Sequence, residues 1–514
     1  MKNPHPATIL RILVLFGALL LGQGFAASFG DKEKGVKVDP PKTPKPLVQN
    51  LTTLARCDNC HSGGRKDPTD MVRGVEWKDW VDKDKHKEAW IVLTKARAQQ
   101  MAKILGYAVE KDKRCISCHG TAVNVGDKDQ MKTLEDYGVN CTICHGPSED
   151  WISAHPGATM DTRNAWRSLS RVEKESKWGM YDLWDPAKRT KLCGSCHIGS
   201  AKDGKVVTHE MYAAGHPPLP GFEVATFSEQ MPRHWESLRE RAKDKMEDLK
   251  RFYRISKEEI DLELTHQVGV GALMTFRMGV DLIGEQAKKG DSWPELAVFD
   301  CFACHHDLQN PSWRQERGYK GKPGRPQLRA WSAALVDLGL LHAARGDKER
   351  AKGLQAELDK KMGELAKTFD ARPFGAPERV TASTSDVSKW IDSLLNGKGE
   401  RYPADLAKRL VRRLEPLAEA GIPDFDSARQ MAWAFGILES DGAAGWSPKG
   451  LGAEGWKSLT ENLSLKLPGK SMWITEKERG DVKFYLETSL KKLNDYQPRQ
   501  FREDFRKLFE GKGP

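Results

Sequence analysis

Apolar residues are unevenly distributed along this 514-residue chain. The first cluster runs unbroken from Ile12 to Leu21, behind a start carrying Lys2 and Arg11 and ahead of Gly24-Phe25-Ala26-Ala27. A basic start, a short apolar run and small residues for cleavage are the layout of a secretory signal peptide, here residues 1–27. The run is too short for a membrane anchor, which needs about 20 apolar residues. Residues 28–50 are rich in Lys, Pro and Asp without periodicity and predict a flexible tether.

From about 51 the sequence predicts little regular secondary structure, apart from a polar helical segment around His86. The pattern becomes helical from Ser228 to about Gln286, with a charged amphipathic stretch Glu236–Phe252 and an apolar-striped one Ile260–Ile283. Further on, Gln327–Phe369 predicts two helices broken at Gly346-Asp347, followed by Ser385–Gly397, Pro403–Ala420 and Asp426–Leu438. Residues 476–510 add one or two charged helices, and Pro373, Gly421 and Pro423 mark joints. The fold class expected is mainly α with much irregular structure.

The cysteines change this picture. All ten fall in pairs spaced by two residues, and each pair is followed directly by a histidine. The five motifs, numbered 1 to 5 along the chain, are Cys57/Cys60/His61, Cys115/Cys118/His119, Cys141/Cys144/His145, Cys193/Cys196/His197 and Cys301/Cys304/His305. Two thiols on one turn can add to the two vinyl groups of one haem, and the adjacent His is then carried beneath the iron. Zinc ribbons need no His after each pair, and redox dithiols rarely recur five times. Five covalently attached haem c groups are therefore expected, with iron as the redox metal. The chain divides into a haem-bearing cytochrome c domain, 51–312, and an all-helical accessory domain, 313–514. Because thioether attachment takes place outside the cytoplasm, the signal peptide and the motifs agree on a periplasmic or otherwise exported protein.

Each iron has a sixth position, and a second strong ligand there favours electron transfer over chemistry. Setting aside the motif histidines and His5, eight histidines remain as candidates. His86, His155, His209 and His216 lead because they lie amid the motifs, while His234 and His266 are expected on helices after motif 4. His306 adjoins a motif ligand and can serve only another haem; His342 reads as a packed histidine, and Met211 is the best-placed methionine.

A net charge of +10 favours acidic redox partners as electron donor and acceptor. Charges of both signs are mixed throughout, so no nucleic-acid-binding stripe is expected, and no transmembrane segment is expected after signal removal.

Residues 50–220 resemble the multihaem family containing the tetrahaem electron acceptor of hydroxylamine oxidoreductase. Motif 1 is followed by a lone His86, and two motifs then stand 26 residues apart. Gly138-Val139-Asn140-Cys141-Thr142-Ile143-Cys144-His145-Gly146-Pro147 is followed by His155, with a fourth motif about 50 residues on. The resemblance implies stacked haems, mostly with two His ligands. It also implies that the second haem, on Cys115, Cys118 and His119, lacks a distal ligand. The chain departs from the family in its fifth motif and its long C-terminal region. Pentahaem nitrite reductases typically bind their catalytic haem through a motif ending in Lys, which is absent here.

Three functions stay open: an electron carrier between redox partners, a haem enzyme acting on a small nitrogen or sulfur compound at one five-coordinate haem, and a binding or scaffolding role in which the C-terminal helices dock the cytochrome on a complex.

Overall fold

A computed structural model describes residues 54–64, 72–120, 126–305, 308, 310–312, 322, 324–397, 401–420, 424–441 and 496–509. The N-terminal apolar run, the 28–50 segment, His306 and most of the 476–510 stretch lie outside these residues. The described residues are mainly helical; they form no strand, only the isolated bridges Ser200–Lys205 and Phe299–Leu328. No described helix is long and apolar enough to cross a membrane.

Helix Glu263–Ala287 is the axis of the C-terminal half. Its 25 residues are buried on nearly every face, including Val268, Leu273, Phe276 and Val280. It packs on Pro186–His197, the helix carrying motif 4, and also on Val336–Ala343, Pro377–Leu395 and Phe425–Asp441. Close packing is possible because glycines face the neighbouring helices. A Cβ on Gly269 would stand 2.3 Å from the His342 ring, and one on Gly284 2.2 Å from Thr384. The axis precedes residue 312 in sequence, yet much of its packing is with helices beyond it.

The helices described after residue 330 mostly follow the apolar pattern. Pro377–Leu395 differs: it begins eight residues before the expected Ser385, with Pro377 at its first turn and Val380 buried ahead of it. Leu406–Glu419 buries Leu406, Ala407, Leu410, Val411, Leu414 and Ala418, one stripe at helical spacing. That stripe joins Leu338, Ala428, Phe435 and Phe505 in one core. The break at Gly346-Asp347 is present too: Asp347 caps helix Lys348–Lys367 by accepting from Arg350 N.

Residues 62–185 are more regular than their apolar pattern predicts. They hold short helices, such as Ala96–Leu105 and Lys128–Tyr137, each of ten residues. Ala98 and Leu134 from these two helices share a small side-chain core with Trp90, Val109 and Ile116. Each helix is too short for its apolar spacing to stand out, and capping residues mark it better than periodicity does. Asp112, Asn140 and Asp185 each accept backbone N–H bonds at the start of the helices that carry motifs 2, 3 and 4. With Pro186 at the first turn of its helix, Asp185 starts the longest of the three. The caps hold each Cys-x-x-Cys-His on a helical turn, with both thiols on one side.

Candidate functional site

The helices carrying motifs 1 to 4 surround a cavity of about 1780 Å³. It is lined by all eight of their cysteines and by His61, His119, His145 and His197. A single small-ligand site occupies about 300–1,000 Å³, so this space suits several groups. Thirteen Lys and Arg line it against three carboxylates, Glu76, Asp84 and Asp182. That excess of positive charge suits haems, each of which brings two propionates. Motif 5 lies apart, with Cys301 and Cys304 exposed.

Histidines from distant parts of the chain meet in five pairs, each joining one motif histidine to one outside the motifs. His61 faces His155 with ring centres 6.4 Å apart, His86 faces His197 at 6.2 Å, and His119 faces His216 at 6.3 Å. His145 faces His234 at 6.4 Å, and His209 faces His305 at 6.2 Å. An imidazole nitrogen binds a metal at about 2.0 Å and lies about 1.1 Å from its ring centre. Two rings on opposite sides of one iron would therefore stand about 6.2 Å apart. The donor set and spacing fit a haem iron between each pair.

The second ring nitrogen has a defined partner in most pairs, which fixes the tautomer. Nδ1 of His119 donates to Ala89 O at 2.9 Å, that of His155 to Ile152 O at 3.1 Å, and that of His216 to Pro217 O at 2.7 Å. With the proton held at Nδ1, the Nε2 lone pair is left for a metal. His61 and His86 use carboxylates instead, Glu76 at 3.1 Å and Asp84 at 3.0 Å. Burial pushes His145, His197 and His216 down to about 4, which keeps these rings neutral as ligation requires.

The attachment sites also adjoin one another. The Cys57 and Cys141 thiols lie within hydrogen-bonding reach, as do Cys118 and Cys196. Cys144 interacts electrostatically with Cys193 and Cys196. His209 opens the short helix His209–Ala213 and His216 follows its end; they face motifs 5 and 2 respectively. The motifs therefore adjoin in the order 1, 3, 4, 2, 5.

His86, His155, His209 and His216 each face a motif histidine. Sequence reasoning gave His234 no priority and expected it on a helix. It lies between helices Val224–Gln230 and Leu238–Tyr253, facing His145. The resemblance implied no distal ligand at motif 2, yet His119 faces His216.

His266 and His342 form a pair of a different kind. Their centres are 5.2 Å apart, and His266 Nδ1 is hydrogen-bonded to His342 Nε2 at 2.9 Å, leaving no room for a metal between them. Burial holds His266 at about 4 and His342 well below its ordinary value. In the unfolded chain both titrate near 6.5, so as pH falls from 6.5 towards 4 the unfolded state takes up protons first. Stability is expected to drop across that window, by about 2–3 kcal/mol for His266. Denaturant midpoints at pH 7 and 4.5 check this, with a smaller drop expected in His266→Gln.

Residues 56–146, which include motifs 1 to 3, match the family described as cytochrome c554 and c-prime. No curated protein and no solved structure matches the chain. The matched family supports a multihaem cytochrome c, with haem covalently bound and electrons exchanged with redox partners.

Proposed function

We propose that this chain is an exported pentahaem c-type cytochrome that passes electrons between redox partners. The observation that carries this reading is the set of five ring pairs, one per motif, at 6.2 to 6.4 Å. Haem c supplies a one-electron ferric–ferrous couple. The ten cysteines would hold five haems by thioether bonds, and the paired histidines would fill both axial positions. Saturated irons carry electrons and leave no place for a substrate.

The motif order 1, 3, 4, 2, 5 suits conduction along a line. Its two ends contain the exposed cysteines, Cys60 in motif 1 and Cys301 and Cys304 in motif 5, where partners can approach. Export is supported by the signal-like residues 1–27 and by the chemistry of attachment. The part from 51 to 312 would be the haem-bearing domain and 313–514 a helical accessory domain, with helix Glu263–Ala287 packed against both.

The enzyme reading requires one iron with a single histidine. The facing of His119 and His216, where the resemblance implied an open position, weighs against it. Pyridine haemochrome and intact mass of the protein purified from an exporting host test the proposal. Five haems per chain are expected; four or fewer would overturn the count. Electron paramagnetic resonance of the oxidised protein is expected to show low-spin ferric iron alone.

A further inference from the structure

The three carboxylates lining the haem cavity differ in how their charge is met. Asp182 stands 3.6 Å from Arg171 and 3.9 Å from Lys188. Glu76 accepts from Arg73 N as well as from His61, and its side chain is 16% exposed. The side chain of Asp84 is 2% exposed. Its Oδ1 accepts from both the backbone N–H and the Nδ1 of His86, at 2.9 and 3.0 Å. Its Oδ2 is buried with no hydrogen-bond partner. The only ion-pair partner of Asp84 among the described residues is His86.

A buried carboxylate is costly unless an opposite charge meets it. The nearest compensating charge is that of the His86 ring; His234 and Cys144 of the neighbouring site lie within electrostatic reach of Asp84 but make no hydrogen bond to it. Given bis-histidine ligation by His86 and His197, a ferric haem core carries one positive charge and a ferrous core carries none. The attraction between Asp84 and that centre is therefore strong in the oxidised state and largely lost on reduction. A carboxylate on the second nitrogen of a ligating histidine also makes the ring a stronger donor, which favours ferric iron in the same sense.

The geometry points to Asp84 as the residue that makes the haem on Cys193 and Cys196 a low-potential centre in the middle of the array. This inference rests on the proposed ligation. Motif 4 stands third in the order 1, 3, 4, 2, 5, so electrons resting on the array collect on the two sides of it. Asp84 is a positioning and tuning residue, and its charge is what acts.

The test is a potentiometric titration of the five-haem protein, followed by visible and paramagnetic resonance spectra. Asp84→Asn keeps an acceptor for His86 and removes the charge. The haem on Cys193 and Cys196 is expected to shift its ferric–ferrous equilibrium towards ferrous by tenfold or more, about 59 mV per tenfold. A smaller shift is expected at the motif 3 haem, whose His234 and Cys144 lie within reach of Asp84, with the other three unmoved. The haem shifted most should remain low-spin with altered g values. Asp84→Glu, which keeps the charge, is expected to titrate within a few-fold of the parent. Glu76→Gln should give a smaller shift at a different haem, because Glu76 is partly solvated.

Five unmoved midpoints in Asp84→Asn, with all haems low-spin, would overturn the assignment. Equal shifts in Asp84→Asn and Asp84→Glu would also overturn it, since the effect would then be packing and not charge. A parent protein that already shows high-spin iron or fewer than five haems would instead overturn the ligation reading, separately from any effect at Asp84.

Discussion

Oxidised protein carrying His216→Ala is expected to show high-spin ferric iron from one haem of five, against an all-low-spin parent. His216 lies 6.3 Å from His119 across the space where that haem would sit, and its Nδ1 is held by Pro217 O. The ring lines the cavity, is half-buried, and desolvation holds it neutral at about 4. Truncation to Ala removes the distal donor and leaves a pocket that water or a small ligand can fill. The variant should bind nitric oxide or hydroxylamine at one haem, seen as a change in the high-spin signal, whereas the parent should not respond. The same change at His234 should open the haem on Cys141 and Cys144. A His216→Ala protein that stays entirely low-spin would remove His216 from the ligand set. The open position implied by the family resemblance would then return as an explanation for chemistry at motif 2.

Cys301→Ala with Cys304→Ala is expected to lower the haem count from five to four, by intact mass and by pyridine haemochrome, with the other four spectra retained. Motif 5 sits outside the main cavity, and its cysteines are exposed. The chain just before it is anchored independently: Phe299 is buried against Trp293, Phe369 and Phe374. Losing this haem therefore removes an end of the array without removing the packing that holds the rest. Retention of five haems would show that motif 5 is not an attachment site. Collapse of all haem incorporation would show that the fifth haem supports the fold of the others.

The five motifs are legible in the sequence because covalent chemistry fixes their spacing locally. The accessory helices are legible for a similar reason, since Leu410, Val411 and Leu414 repeat on one face and bury against side chains. The ring pairing is not legible, because each partner lies far along the chain. His155 follows His145 by ten residues, yet it faces His61. His234 was masked by the amphipathic pattern that begins beside it; Ser237 caps that helix and starts it only at Leu238. The short helices between residues 72 and 185 escaped the apolar period because each spans only two or three turns, too few to display a stripe. Their caps, Asp112, Asn140 and Asp185, carried the signal instead.

Ligation by these ring pairs would act as a set of cross-links. Each would close a loop on the order of a hundred residues, and a cross-link of that span can remove about 5 kcal/mol of unfolded-chain entropy in the loop-entropy account. The loops are braided. The span from His61 to His155 encloses His86, His119 and His145, whose partners His197, His216 and His234 all lie beyond it. The last of these spans reaches past His209, which leads on to His305. No cut between residues 61 and 305 spares every pair, so the array cannot be dissected into single-haem modules. A chain emerging N-terminus first would hold its earliest haem half-ligated until His155 follows, and the braid would close only when motif 5 has arrived.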